Sequence, residues 1–472
     1  MTEVSAPGTA PPPSTSTTRS ARLSLLVACG AAFIAFLDLS VVNIAFPAIA
    51  RDFTATPATT LTWVVSGYAV AFAALLTPAG RFADVLGRRR VFLYALGAFA
   101  VTSLLCAFAP AAGWLIGGRF LQGAAASFMI PAGLGLVLSA TEPKRVGVAV
   151  AAWTAAGGFA AAVGPAIGGV LVEWFGWRSV FIINVPIAAV LIAFGLTITT
   201  AGTRRVGHGY PDRLGTAATT LGIAAVIAAV TEGGQWDWFA WQTMLCAGTG
   251  VAALAVALLR SRRHPRPAIA VELWRNRRYA LTNMTSFVFG AAMFAWLLAG
   301  PLWLDAMWHY SVLESAAAMT VGAIAAMVTA VAAGRVPANH QRALGVVGAL
   351  VFAASCVYMS TDVWGAEPAL WQAWVPAGIL GGSGIGVILT TLGTTAVGSV
   401  PPQQFATGIG MLLTARQTGG ALGIAILAAV FAANPGGQLS AFHTVFAVCA
   451  GIAFAAAACA AAIPTSPRGE QR

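Results

Sequence analysis

Charge is what this sequence has least of. Asp, Glu, Lys and Arg make up 9% of its 472 residues, against roughly 25% in an average soluble domain. Fifteen acids and 26 bases cannot cover a water-soluble protein of this length, which excludes a cytosolic enzyme and a disordered scaffold. Lysine is nearly missing, Lys144 being the single one. Cysteine is sparse: Cys29, Cys106, Cys246, Cys356, Cys449 and Cys459 fall inside apolar runs at unrelated spacings. They read as small buried hydrophobes, not as a disulfide framework or a metal-ligand set. No Gly-rich phosphate loop ending in Lys is present, so ATP is not the expected energy source, and neither a metal nor another cofactor is expected.

What the sequence does have is apolar length. It is 58% hydrophobic, and runs long enough to cross about 30 Å of hydrocarbon recur along it. Fourteen of them lie between residues 23 and 463, among them 60–79 and 146–172. The expected fold class is an all-α polytopic membrane protein with 14 transmembrane helices. The net charge of +11 then speaks of membrane topology and not of nucleic acid. With loops assigned alternately to the two sides, 22 bases fall on one side and two, Arg51 and Arg178, on the other; Arg119 and Arg416 lie inside helices. The positive-inside rule puts the 22 in the cytoplasm and both termini with them, in the plasma (inner) membrane. Twelve of the 15 tryptophans, including Trp114, Trp174, Trp177, Trp303, Trp308, Trp364 and Trp374, fall near the opposite ends, as an interfacial belt would.

Composition divides the chain. Residues 1–21, rich in Ser, Thr, Pro and Ala, read as a disordered cytoplasmic tail; 22–200 as an N-terminal six-helix bundle; 201–279 as two linker helices and a basic cytoplasmic loop; 280–463 as a C-terminal six-helix bundle; and 464–472 as a second tail. Weak repeats support two halves. Gly-rich segments near Arg119 and Gly378 are offset by 259 residues, and those at Gly164 and Gly419 by 255, as in secondary transporters. Within the basic loop, Ile269–Tyr279 reads either as a short amphipathic helix on the inner leaflet or as a solvated connector.

Four motifs run through this frame. After the second run comes Gly80-Arg-Phe-Ala-Asp84-Val-Leu-Gly87-Arg88-Arg89-Arg90. The first run carries Leu37-Asp38-Leu-Ser40-Val-Val-Asn43, the fourth Arg119-Phe-Leu-Gln122-Gly123, and the fifth Gly157 through Gly164-Pro165-Ala-Ile-Gly168-Gly169. With Trp177-Arg178 through Asn184-Val-Pro186 and Arg416-Gln417-Thr-Gly419-Gly420, they resemble, in order and sidedness, the major facilitator superfamily. The resemblance is to its fourteen-helix drug:proton antiporter branch.

That resemblance implies a major facilitator fold, two six-helix bundles with two extra central helices, and no enzyme activity. It implies a proton-coupled antiporter that exports amphipathic small molecules (drugs, dyes or a host-made antibiotic) by alternating access, with the proton gradient as energy source. Its partners are protons, substrate and the lipid bilayer, without nucleic acid; a monomer is expected. A dedicated exporter of one metabolite, or an importer, is the alternative within transport; a polytopic membrane enzyme is the alternative outside it. Gly80, Asp84, Gly87, Arg88 and Arg89 become a conformational switch loop, and Gly157, Gly164, Pro165, Gly168 and Gly169 the antiporter helix, whose small residues form a shear seam together with Ala161.

The buried charges carry the mechanism. Asp38 lies near the middle of its helix, where an ionised carboxylate is costly unless paired or hydrated. It is either the proton-coupling acid or a structural partner of Arg119. Arg119 either snorkels outward or tunes that acid. Arg416 needs an acid, carbonyls or water. Asn43, Tyr68, Gln122, Trp153, Trp296 and Arg416 are candidates to line the substrate cavity. Asp305 either attracts cations at the outer mouth or is a solvated end residue.

Overall fold

A segment surrounded by lipid must satisfy its own backbone groups, which restricts each apolar run to a helix. The computed structural model of the chain describes residues 15–198, 212–265, 267–434 and 438–464. Among these, 14 helices are long and apolar enough to cross a membrane. They are α1 (Thr15–Asp52), α2 (Trp63–Leu86), α3 (Arg88–Ala107), α4 (Ala112–Ser139), α5 (Val146–Phe175) and α6 (Ser179–Thr197, interrupted at Ile183). The central pair is α7 (Arg213–Trp236) and α8 (Trp241–Arg263). Then follow α9 (Arg277–Ala306), α10 (Val312–Gly334), α11 (Gln341–Met359), α12 (Leu370–Val397), α13 (Phe405–Ala433) and α14 (Gln438–Ala461).

Helix pairing shows a repeat far more clearly than the sequence does. In the first six helices, α1 packs on α5 and α6, α2 on α4, and α3 on α4 and α6. Adding eight to each number gives the packing of the last six: α9 on α13 and α14, α10 on α12, α11 on α12 and α14. The two main contacts that join the halves, α2 with α13 and α5 with α10, exchange under the same shift, as do the smaller ones of α4 with α13 and α5 with α12. An even shift preserves direction, so the halves are parallel repeats about an axis along the membrane normal. The α7–α8 pair stands outside the repeat, with α7 lying against α2 and α13. Asp212 and Arg260 join α7 and α8 at 2.5 Å. Burial raises the Asp212 carboxyl, but the Arg260 and Gly215 hydrogen bonds and the Arg260 and His264 charges outweigh it and hold the group below its usual range.

The described bases cluster where α2 meets α3, α4 meets α5, α8 meets α9 and α10 meets α11, and this side is called the basic end. Arg204, Arg205, Arg266, Arg468 and Arg472 lie outside the described residues. Three local expectations change. Helix α1 starts at Thr15, within the segment expected to be a tail. Helix α2 continues to Leu86, past the expected end at 79. Ile269–Tyr279 forms no amphipathic α-helix: Val271–Arg275 is a single 3₁₀ turn, and Ala270 and Leu273 are buried in the protein core, not on lipid.

The tryptophans correct the belt reading. Trp114, Trp174, Trp241 and Trp371 are exposed, but Trp303, Trp308, Trp364 and Trp374 are buried. These four pack together with Phe442 and Phe446 at the end of the C-terminal half away from the basic end; the Trp303 and Trp364 ring centroids are 5.1 Å apart. His443 shares a 2.8 Å hydrogen bond with the Trp364 carbonyl. An indole fills volume as readily as it anchors to headgroups, and residue type alone does not separate the two uses.

Candidate functional site

Asp38 of α1 and Arg119 of α4 are both completely buried, and Arg119 Nη1 donates to Asp38 Oδ2 at 2.6 Å. Gln122, one turn further along α4, accepts from the same Nη1 at 2.6 Å and donates to Asp38 Oδ1 at 2.8 Å. Asn184 of α6 is the second donor to Oδ1, also at 2.8 Å. Ser103 of α3 accepts from Gln122 (3.2 Å) and Asn184 (3.0 Å) and donates to the Phe181 carbonyl (2.9 Å). From α2, the Val64 carbonyl accepts from Arg119 Nε at 2.8 Å, and the Tyr68 ring lies 4.4 Å from the guanidinium carbon. Five helices thus contribute to one network, and α4 and α6 supply the direct contacts to the Asp38 carboxylate. Every contact to Asp38 is a donor, the set that an ionised carboxylate needs. Two polar atoms of the network are left over, Arg119 Nη2 and Asn184 Oδ1.

The arginine therefore does not snorkel. Ser103 and Asn184 are the members that sequence reasoning missed. Asn184 left a signal, an amide in the apolar sixth run. Ser103 left none, because hydroxyls in helices commonly bond back to their own backbone.

The expected switch loop is mostly helix. Gly80 and Asp84 belong to α2, Arg88 opens α3, and only Gly87 breaks the chain, at φ +103°, a conformation that glycine adopts freely. Asp84 accepts from Arg88 Nε (2.8 Å), from the Thr407 amide (2.8 Å) and hydroxyl (2.7 Å), and from the Ala406 amide (3.3 Å). Ala406 and Thr407 form the first turn of α13, whose free N–H groups favour an anion. Arg88 reaches the carbonyls of Gly135 at 3.2 Å and Pro402 at 2.5 Å. Gly80 lies so close to the Ala406 carbonyl that a Cβ would overlap it. Arg89 takes no part in the junction: it donates to the Gly195 and Leu196 carbonyls at the end of α6. At the repeat-related junction Gly147 of α5 meets Gly334 of α10 backbone to backbone.

In α5, a Cβ on Gly157 would meet Phe36, one on Gly164 would meet Ser40, and one on Gly168 would meet Val41 and Ile44. All four partners belong to α1, so the small-residue seam lies within the N-terminal half and not between the halves as a shear surface would. Ala161 is exposed and Gly169 has open space beside it; neither belongs to the seam. Pro165, between them, is half-buried.

The cavity candidates scatter. Tyr68 and Trp153 are buried in the N-terminal core, Gln122 belongs to the Asp38 network, and Trp296 donates to Met359 Sδ (2.9 Å) inside the C-terminal half. Asn43 is exposed on α1, and Asp305 is exposed near the end of α9. Arg416 is half-buried on α13 and has no acid, carbonyl or side-chain partner among the described residues.

Comparison with known proteins agrees with this architecture. The Major Facilitator Superfamily profile matches residues 28–423. The chain is 32% identical over 443 residues to the "Probable actinorhodin transporter" of Streptomyces coelicolor, covering 92% of this chain and 76% of that one. It is 30% identical to the "Methylenomycin A resistance protein" of the same organism, covering 84% and 83%. It is 33% identical to the "Puromycin resistance protein pur8" of Streptomyces alboniger, covering 85% and 80%. Among solved structures, the human organic anion transporter MFSD10 superposes with a TM-score of 0.70 at 14% identity, over 93% of this chain and 99% of that one; at that identity the likeness is one of fold.

Proposed function

The chain belongs to the Major Facilitator Superfamily and is a membrane transporter, and from that premise we propose that it is a proton-coupled antiporter exporting amphipathic small molecules by alternating access. The antibiotic names of its relatives support a substrate of that kind. The observation that carries the proton coupling is the sealed Asp38, held only by donors. On taking up a proton, this carboxylate loses the charge that holds Arg119 and presents an O–H where amides already donate. At least one contact must then break. An arginine left without its partner in a dry site is destabilising by about 3–5 kcal/mol, enough to move helices.

The positive-inside rule places the basic end in the cytoplasm. In that orientation both junctions, Asp84–Thr407 and Gly147–Gly334, close the cytoplasmic side, and the substrate leaves on the opposite side. Substrate release and proton entry then share one conformation, and separation of the two junctions starts the return.

Expression in an efflux-deficient bacterium tests this. Wild type should lower the accumulation of amphipathic drugs and dyes, and a protonophore should abolish the effect. Asp38→Asn should reach the membrane in normal amount and lose proton-driven efflux. Full efflux by that variant would remove Asp38 from the mechanism, and accumulation indifferent to both expression and protonophore would overturn export altogether.

A further inference from the structure

The charged side chains along the spanning helices mostly come in pairs: Asp38 with Arg119, Asp84 with Arg88, Asp52 with Arg178, and Asp212 with Arg260 at the base of the central pair. Glu232, a buried acid toward the far end of α7, hydrogen-bonds Ser66. Arg416 is different. It lies eleven residues into α13 from Phe405, about 16 Å along the axis, and no described residue bonds it. Its Nε is sealed from solvent with nothing to donate to, whereas the two Nη atoms keep accessible surface.

The direction of that opening follows from the helix. The edge of α13 that faces α2 carries Ala406, Gly410 and Thr414, and Thr77 Oγ1 donates to Thr414 Oγ1 at 2.8 Å. The edge facing α9 carries Gly419 and Gly423, against Phe287 and Ala291. Arg416 belongs to the α9 edge as well, its carbonyl lying against Gly290, and at about 100° per residue it is the member of that edge nearest the flank of Leu413. That flank reaches α4 at the basic end, where Gly135 meets Ala406. Arg416 therefore borders the space between the halves, beyond the contacts that close the basic end.

A guanidinium at mid-membrane needs a counter-charge, and no described residue supplies one. We infer that the counter-charge arrives with the cargo: Arg416 receives an anionic group, a carboxylate or an ionised enol or phenol, on the transported molecule. Its planar fork matches such a group with two parallel hydrogen bonds, and Phe294, packed against Gly420 one turn along, offers an aromatic face to the apolar remainder. The cargo class is thus an amphipathic organic acid. This deepens the export reading and rests on its claim that a small molecule passes between the halves, but not on proton coupling.

The test is equilibrium binding to the purified full-length protein without a proton gradient, using 1-pyrenebutyrate and its neutral primary amide as probes. Wild type should bind the acid at least about tenfold tighter than the amide. Arg416→Gln should remove that preference while amide binding persists, which also shows that the variant is folded; Arg416→Lys, a charge without a fork, should keep part of it. Equal binding of acid and amide by wild type, or an undiminished preference in Arg416→Gln, overturns the inference. So does chloride as sole occupant, seen as ³⁵Cl line broadening that Arg416→Gln abolishes with no acid preference in wild type. Loss of protonophore-sensitive efflux with the acid preference intact would instead overturn the antiport reading and leave this one standing.

Discussion

Asn184 shows how a neutral residue can govern a charged one. It donates to Asp38 Oδ1 alongside Gln122, and its own Oδ1 has no partner. Deleting that donor leaves a buried carboxylate oxygen one hydrogen bond short, a loss of about 1.5–3 kcal/mol for a bond to a charged group. Asn184→Ala should therefore lower protonophore-sensitive efflux by about tenfold, with the amount of protein in the membrane unchanged. Undiminished efflux would reduce Asn184 to a packing residue. Asp38 and Arg119 were legible in the sequence because charge is so rare in these runs that each instance demands a reason. Their partnership was legible only as an option, since nothing in the spacing of residues 38 and 119 dictates contact. Ser103 was invisible, one hydroxyl among many. The solitude of Arg416 could not be read at all, because the want of a partner exists only in three dimensions.

Helix α2 was expected to stop near residue 79 because Arg81 and Asp84 look like loop residues. It continues because its charges are answered: Asp84 meets Arg88 and the first turn of α13. Gly80 makes that approach possible, and its side of α2 has no room for a Cβ. Gly80→Val should push α13 away and free the Ala406 and Thr407 amides that now bond Asp84. Hydrogen exchange at these two amides should then speed up by about tenfold, as expected when a local opening loses about 1.4 kcal/mol; unchanged exchange would mean that the junction tolerates the extra methyls. The same argument explains why the glycines of α5 misled. Their spacing identifies a helix that packs closely but not against which neighbour, and the neighbour is α1, inside the same half.

For the molecule as a whole, segregation of the bases was enough to count fourteen crossings, since a wrong count would mix the two sides. The pairing of helices was not legible, because it depends on which small residues meet. The eight-helix shift yields a prediction that neither half gives alone. Gly334→Val at the α5–α10 junction is the counterpart of Gly80→Val, and the two should perturb the closed basic end in the same direction. Exchange of the amides at the start of α5 should rise in Gly334→Val as it does for α13 in Gly80→Val, and opposite responses would break the symmetry argument. The repeat does not extend to the aromatic cluster. With Trp303, Trp308, Trp364 and Trp374 clustered within one half, neighbouring indoles couple optically, and the chain carries its own near-ultraviolet reporter. That signal reads the C-terminal half. It should be silent to Asn184→Ala and respond when cargo reaches Arg416, so that light absorbed by native residues can follow one half of the transporter apart from the Asp38 network of the other.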